Sequence, residues 1–564
     1  MHPSENRNKR ENKGKDWTGL KKNDIFEATI TDLTTEGSGV CRIEELAVFV
    51  PHTAVGDHIR VKIVKVLKKY AFGIVEQLLQ PSPDRIEPAC SLSQCGGCLF
   101  QHITYAAELR VKEKTVQDAF VRLGKLHPHF LSIAGADQRS RYRNKAQYPF
   151  GIDENGMPIC GFYARRSHRV IPIQDCLLQP EVFRDIVQLV LEEVRTRHLP
   201  VYREDTHTGI LRHLYLRKGY HSGEIMVCFV VRKDIRRDLM GIANRLAACI
   251  PGIQSIVMNC NPDRTNVILG KKTSVLWGSD TISDTMCGNT ITLSPESFYQ
   301  INTPQAERLY QIAAQFAQLT GQERLLDLYC GTGTIGLSMA RQAKELIGVE
   351  VIPQAVENAS ANAQRNGISN SQFFCGDAGM IADQLLQGGT LPDVIIADPP
   401  RKGCTEQTLH AMVQMHPDRI VMISCNPATA ARDCATLAAS GYQVKTVQPV
   451  DLFPGTGHVE TVVLLGRKMV DDRNIEYEYI DYEPKDNEYM RNTKGSATYA
   501  EIKAWIKKQY NVSVSNLYIA QCKDECGFEK RENFNTGAEG HRVPQCPEEK
   551  REMIMEAFKH FRMI

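Results

Sequence analysis

No apolar run in the 564-residue sequence approaches the roughly 18 residues of a membrane-spanning helix. The opening stretch, MHPSENRNKRENKGKDW, also lacks the apolar segment of a secretion signal. A membrane span and a signal peptide are thus excluded by expectation, and the chain reads as cytoplasmic. An excess of one charge is missing too: 68 Lys and Arg face 66 Asp and Glu. Net charge therefore argues neither for nor against nucleic acid, and only local clusters can. Internal repeats are absent, and nothing points to an obligate protein partner. With no secretory context for disulfides, the 18 cysteines are expected as thiols, metal ligands or catalytic groups.

What is present is an ordinary globular composition, 42% hydrophobic and 24% charged, in a chain too long for one core. Residues 1–17 read as a disordered, basic-leaning tail. Residues 18–79 hold short β-rich runs split by Gly, Pro and Asp, the pattern of a small closed barrel. Its Arg60, Lys62, Lys65, Lys68 and Lys69 suit RNA and equally suit a solvated strand face. The barrel has no reactive constellation and is expected to add RNA affinity only. Residues 80–290 read as a central α+β domain opening on CSLSQCGGC, with 105–138 expected to pack on the domain that follows. In residues 291–468 helices alternate with apolar strands, which predicts a mostly parallel α/β sheet with helices on both faces. An acidic, tyrosine-rich linker is expected at 469–490. A small α-rich appendage of no legible role is expected at 491–564.

Within 291–468, LLDLYCGTGTIGLSMA places Gly331, Gly333 and Gly336 between a strand and a helix, where glycine permits a tight turn. Glu350 ends the next strand, placed to accept from two ribose hydroxyls. The loop lacks a Walker lysine, so phosphoryl transfer is disfavoured. Asp377 is placed to reach an adenine edge, or else caps a loop. In DVIIADPPRKG, Asp398 tips the next strand and two prolines stiffen a ledge beside the ligand. Together these point to S-adenosyl-L-methionine and methyl transfer to a planar base.

In RIVMISCNPAT the following strand ends at Cys425, on the same rim. A core role for this cysteine is the common alternative, but the ligand edge favours a nucleophile. A thiolate adds to soft carbons such as C6 of uracil, making C5 able to attack a sulfonium methyl group. The C5 proton must then leave, and Glu460 in FPGTGHVE is the candidate base, with His458 next. A second cluster, Cys90, Cys95 and Cys98, wants a fourth ligand from Cys160 or Cys176. Four thiolates suit iron–sulfur or zinc equally by spacing. Cys522, Cys526, His541 and Cys546 are too loosely spaced for a zinc site and read better as unrelated thiols.

SPESFYQIN, DLYCGTGTIGL, GVE, DPPRKG, SCNPAT and FPGTGHVE occur in the order of the RNA uracil-5-methyltransferase family, which the sequence resembles over residues 20–468, within it the 23S ribosomal RNA branch. The resemblance implies a Rossmann-like methyltransferase domain, with Cys425 as nucleophile and Glu460 as base. It implies cofactor contacts by Gln300, Tyr329, Gly331, Glu350, Asp377 and Asp398, and a target pocket shaped by Phe298 and Asn302. It also implies an N-terminal OB-like TRAM barrel binding RNA, with contacts extending to RSRYRNKAQYPF and YARRSHRV. A [4Fe-4S] cluster is implied on Cys90, Cys95, Cys98 and Cys176, although the first spacer here has four residues where the family pattern has five. The expected substrate is a uridine of 23S rRNA. The rivals are the tRNA T-loop, an amino-group methyltransferase and a non-catalytic RNA chaperone. The barrel and the four-cysteine cluster argue against the T-loop, the amino-group methyltransferase has no use for Cys425, and the intact Cys425–Glu460 pair argues against the chaperone.

Overall fold

The computed structural model describes residues 19–92, 94–165, 167–468, 499–526 and 546–561. The tail expected at 1–17, the linker expected at 469–490 and His541 lie outside them. Two compact units are separated near residue 469.

In the first unit a six-stranded N-terminal sheet closes on itself through one segment. Ile25–Thr29 pairs with His58–Val66 at one edge, while Asp32–Leu33 pairs with Ser38–Ile43 at the other. Alternate residues fill the interior, among them Val48, Val50, Ile59, Val61 and Ile63, because side chains alternate across a strand. On the outside Tyr70 and Phe72, each 38% exposed, contact each other and Phe49.

A seven-stranded central sheet follows, running in space from Val170–Pro172 to Lys272–Gly278. The helices Glu181–Thr196 and Arg236–Cys249 cover one face, packing on Leu214, Leu216 and Phe229. Tyr215 and Arg217 alternate onto the other face.

The last sheet of this unit has eight strands. Its spatial order is Ser371–Cys375, Glu345–Glu350, Arg324–Leu328, Val394–Ala397, Arg419–Ser424, Glu460–Arg467, Tyr442–Val450 and His129–Phe130. The first five are parallel, and Glu460–Arg467 runs antiparallel to both its neighbours. Strand order reverses between Arg324–Leu328 and Val394–Ala397, which is where open α/β sheets bind ligands at their carboxyl ends. The chain before the central sheet joins this layer: Val116, Phe120 and Phe130 pack with Met422, Val447 and Val463.

The second unit contains the helices Tyr499–Tyr510, Asn516–Glu525 and Glu548–His560 around Ile502, Ile506, Ile519, Ile554 and Phe558. Cys522 is buried in that apolar core, and Cys526 lies 3.6 Å from the Met555 sulfur.

Candidate active site

The Arg324–Leu328 strand ends in a loop of unusual backbone. Tyr329 has φ +65°, Gly331 +56° and Gly333 +82°. For tyrosine this left-handed conformation is strained, a feature that concentrates at functional sites. A Cβ added to Gly331 would meet nothing within 4 Å. The glycine therefore leaves open space above the loop. The Gly331 N–H donates to Glu350 Oε2 at 3.1 Å, and Ile352 N–H donates to Oε1 at 2.9 Å. Those bonds hold the Glu350 carboxylate at the loop edge, with lone pairs remaining for further donors. Beneath the loop, fully buried Asp327 accepts from Gly336 N–H at 2.9 Å, and burial pushes its carboxyl up to about 7.

Asp398 stands at the end of the adjacent strand. It is half-buried, its carboxylate makes no hydrogen bond among the described residues, and burial pushes it up to about 7. An acceptor left without a donor here fits a ligand that brings one; the ammonium of S-adenosylmethionine is such a donor, and its sulfonium adds positive charge only. Tyr329 Oη lies 3.3 Å from Thr408 Oγ1. Asp377 is exposed and caps the Ala378–Gln387 helix, accepting from Gly379 and Met380 N–H with one oxygen. Capping occupies part of the side chain that was expected to read adenine, leaving the second oxygen.

Cys425 follows the Arg419–Ser424 strand, and Glu460 begins its antiparallel neighbour. Ser424 pairs with Thr461 in register, so the two candidate side chains flank the last opposed pair of the ladder. Burial raises the half-buried Cys425 thiol, and the Glu460 and Asp398 carboxylates raise it further, while Arg401 lowers it through charge and a hydrogen bond. Glu460 is only 5% exposed; burial, then Asp398, pushes it up to about 8, against the pull of Arg401. Arg401 is the functional candidate that motif reading left unassigned. It directly follows the DPP ledge, and its guanidinium lies 3.5 Å from His458 Nδ1. Its backbone carbonyl also accepts from Asn426 Nδ2 at 3.0 Å, tying the ledge to the cysteine turn. His458 is exposed, and its imidazole is held down by desolvation, then by Arg401.

Phe298 is 62% exposed on the segment between the two domains, an apolar ring free to stack. Asn302 differs from expectation. It is 1% exposed and its amide donates to Leu452 O at 2.9 Å, so it holds a loop instead of lining an open pocket. Gln300 anchors the segment through its carbonyl, which accepts from Asn144 Nδ2 at 2.8 Å.

The loop leading to Glu460 is fastened from two sides, by the helix Tyr105–Asp118 and by the barrel. Buried Lys112 binds Glu108 at 2.6 Å, Asp451 at 2.7 Å and Phe453 O at 3.1 Å. Tyr105 Oη donates to Asp451 at 2.7 Å, and Gly455 N–H donates to Glu108 at 2.7 Å. From the barrel side, a Cβ at Gly457 would collide with the Thr35 carbonyl oxygen, so only glycine fits. The barrel thus touches the active-site loop, which the expectation of a purely RNA-binding module did not include.

Cys90, Cys95, Cys98 and Cys176 line one cavity of about 320 Å³ with His52, His102 and Arg143. Cys160 is fully buried elsewhere, its sulfur 3.9 Å from Tyr148 O, which removes it as the fourth member. Among the described residues, however, no three His, Cys, Asp or Glu side chains are arranged to hold a metal ion. The [4Fe-4S] ligand set expected on these cysteines is not shown among the described residues. Burial raises Cys98, and charge on Cys176 or Cys95 raises it further, so neighbouring thiolates oppose one another unless a cation neutralises them.

A mostly parallel sheet with a glycine turn at its switch point, a carboxylate ending the second strand and a DPP ledge at the fourth defines an S-adenosylmethionine-dependent methyltransferase. Residues 105–468 match the model of the tRNA (Uracil-5-)-methyltransferase family and residues 20–75 that of the TRAM domain. The chain belongs to that uracil-5 RNA methyltransferase family. An uncharacterized RNA methyltransferase of Halalkalibacterium halodurans is 45% identical over 451 residues, covering 80% of this chain and 98% of its own. One from Clostridium tetani is 39% identical over 447 residues, covering 79% and 97%. The fold is similar to that of the Pyrococcus abyssi tRNA (uracil-54, C5)-methyltransferase in complex with S-adenosyl-L-homocysteine. The TM-score is 0.63 and the identity 24%, over 78% of this chain and 100% of that one. No helix among the described residues is long and apolar enough to cross a membrane.

Proposed function

We propose that this methyltransferase acts on C5 of a specific uridine in 23S rRNA, with Cys425 as nucleophile and Glu460 as base. The observation that carries the chemistry is the placement of both side chains at one end of adjacent strands, beside Asp398 and Arg401. Gln300, Tyr329, Gly331, Glu350, Asp377 and Asp398 are assigned to the cofactor. S-adenosylmethionine, when bound, supplies an electrophilic methyl group. Phe298 stacks on the target base, and Arg401 favours the Cys425 thiolate. The thiolate adds to C6, and the electron pair displaced to C5 would take the methyl group as the sulfur–methyl bond breaks and S-adenosyl-L-homocysteine leaves as a neutral thioether. Glu460 then removes the C5 proton, the C5=C6 bond re-forms and the thiolate leaves. With its carboxyl raised to about 8, Glu460 rests mostly protonated at neutral pH and, once its own proton has left, is a stronger base toward C5 than an ordinary carboxylate.

The ribosomal substrate is supported by the barrel and by the four-cysteine cavity, features of the 23S branch that the sequence resembles. On this reading a [4Fe-4S] cluster on Cys90, Cys95, Cys98 and Cys176 braces the central domain and takes no part in the reaction. The exposed Tyr70 and Phe72 pair is suited to stacking on RNA bases. The tRNA T-loop is the second reading, favoured by the name of the matching family and of the Pyrococcus neighbour. Mass mapping of both RNA classes from a deletion strain separates them. Loss of 5-methyluridine from 23S rRNA is the expected result, and loss confined to tRNA overturns the ribosomal assignment.

A further inference from the structure

The antiparallel strands Lys145–Ile152 and Leu211–Lys218 place Lys145 directly opposite Arg217. Opposed residues share a face with Cβ atoms about 4.5–5.5 Å apart. This face is the one the two central-domain helices leave uncovered, since Leu214 and Leu216 point to them. Arg217 is 1% exposed, among the most deeply buried large side chains described. Its partners are neutral: Nη2 donates to Tyr215 Oη at 2.8 Å and to Ser297 O at 2.7 Å. Nη1 is buried and has no hydrogen-bond partner. Lys145 is half-buried, and desolvation, then the charge of Arg217, pushes its ammonium down to about 8.

Buried charges in proteins are ordinarily paired, because an unpaired one loses its hydration without compensation. Here two cations adjoin, and no carboxylate pairs with either among the described residues. Glu296, which borders Tyr215, is exposed and accepts from the Thr273 hydroxyl at 2.7 Å. The arrangement lacks an anion. Its position indicates which one. Arg217 holds the carbonyl of Ser297, and Asn144, next to Lys145, holds the carbonyls of Gln300 and Ile301. The two cations therefore underlie the short segment that presents Phe298.

We propose that Lys145, with the buried charge of Arg217 behind it, forms a subsite for one phosphodiester of the RNA, adjoining the nucleotide presented at Phe298. The inference rests on the reading of RNA as substrate and adds where its backbone is gripped. Arg217 is fixed by its two neutral bonds and, closed to solvent, contributes its charge from behind. Lys145 supplies the second charge from the half-exposed side. Phosphate contacts of this kind set register and leave sequence reading to other groups.

The test uses the full chain and a fluorescein-labelled, uridine-containing stem–loop RNA, with binding followed by anisotropy across 50–200 mM salt. Lys145→Gln is expected to weaken binding and to flatten the slope of log affinity against log salt by about 0.7–0.9, the loss of one phosphate contact. Lys145→Arg is expected to restore both, and S-adenosylmethionine affinity by calorimetry is expected to stay unchanged. An unaltered salt slope in Lys145→Gln overturns the proposal. Lost S-adenosylmethionine affinity with RNA binding intact overturns it in favour of the cofactor carboxylate as the anion. Should the wild-type protein itself bind the RNA without salt dependence, the RNA reading fails first, and the two failures are thereby distinguished.

Discussion

Cys425 and Glu460 close the same end of two hydrogen-bonded strands, one at a carboxyl terminus and the other at an amino terminus. The antiparallel strand makes this juxtaposition possible. In a sheet wholly parallel, the start of a strand lies at the opposite rim from the ligand. Insertion of one reversed strand brings a strand-initial carboxylate to the ligand side.

That geometry separates the two halves of the reaction. Glu460→Gln is expected to add to RNA and stall, because sulfur leaves only after the C5 proton does. On a denaturing gel with an rRNA fragment and S-adenosylmethionine it should give a slower, RNA-dependent band. Cys425→Ala should give none, and the double variant should match it. If Cys425→Ala still methylates RNA, the covalent route is wrong.

Glu460 also sets a stability trend with pH. Its carboxyl moves up from the ordinary 4.5 to about 8 in the folded protein. Folding therefore favours its protonated form. That contribution is fully present below pH 4.5 and is lost as pH rises through about 8, at about 1.4 kcal/mol per unit of pH. Glu460→Gln keeps the neutral shape and escapes the loss. Its melting temperature relative to wild type should climb between those two pH values and then level off. A difference independent of pH contradicts a protonated, buried Glu460.

Lys112 is the cation of a buried triad with Glu108 and Asp451, side chains exposed by 1%, 5% and 0%. Lys112→Met leaves two carboxylates facing each other without a counter-charge and should cost about 3–5 kcal/mol in denaturant unfolding. Tyr105→Phe, which removes a hydroxyl that donates to Asp451 and accepts from Ala136 N–H at 2.6 Å, should cost about 1–2 kcal/mol. Equal effects would mean that the ion pairs contribute little.

For the cysteine cavity, anaerobically purified protein should absorb broadly at roughly 400 nm and contain about four irons. Cys176→Ser should lose both and Cys160→Ser should keep them, since only the former lines the cavity. One zinc with no colour sinks the iron assignment.

The parallel sheet was legible because its strands are apolar runs separated by helices, and the rim because glycines, DPP and the cysteine turn sit at strand ends. What was not legible depends on distance along the chain. Lys112 meets Asp451 across 339 positions, and nothing local in the YAAELRVKEK stretch marks that lysine as buried. Asp377 was ambiguous between ligand and cap because both uses begin with the same residue type after a strand. Asn302 and Arg401 show the same limit from opposite sides. The first is drawn inward by a loop carbonyl, and the second lies in a quoted motif but acquires meaning only from the cysteine and glutamate around it.

The contact between Gly457 and the Thr35 carbonyl bears on how this protein can be re-engineered. The N-terminal barrel is not a detachable cassette. A chimera carrying a foreign barrel inherits a different turn against the strand-leading loop, and its turnover changes even where its RNA grip is equal. Barrel and catalytic loop therefore have to be transplanted together, with the glycine and the turn it accommodates treated as a single inherited character.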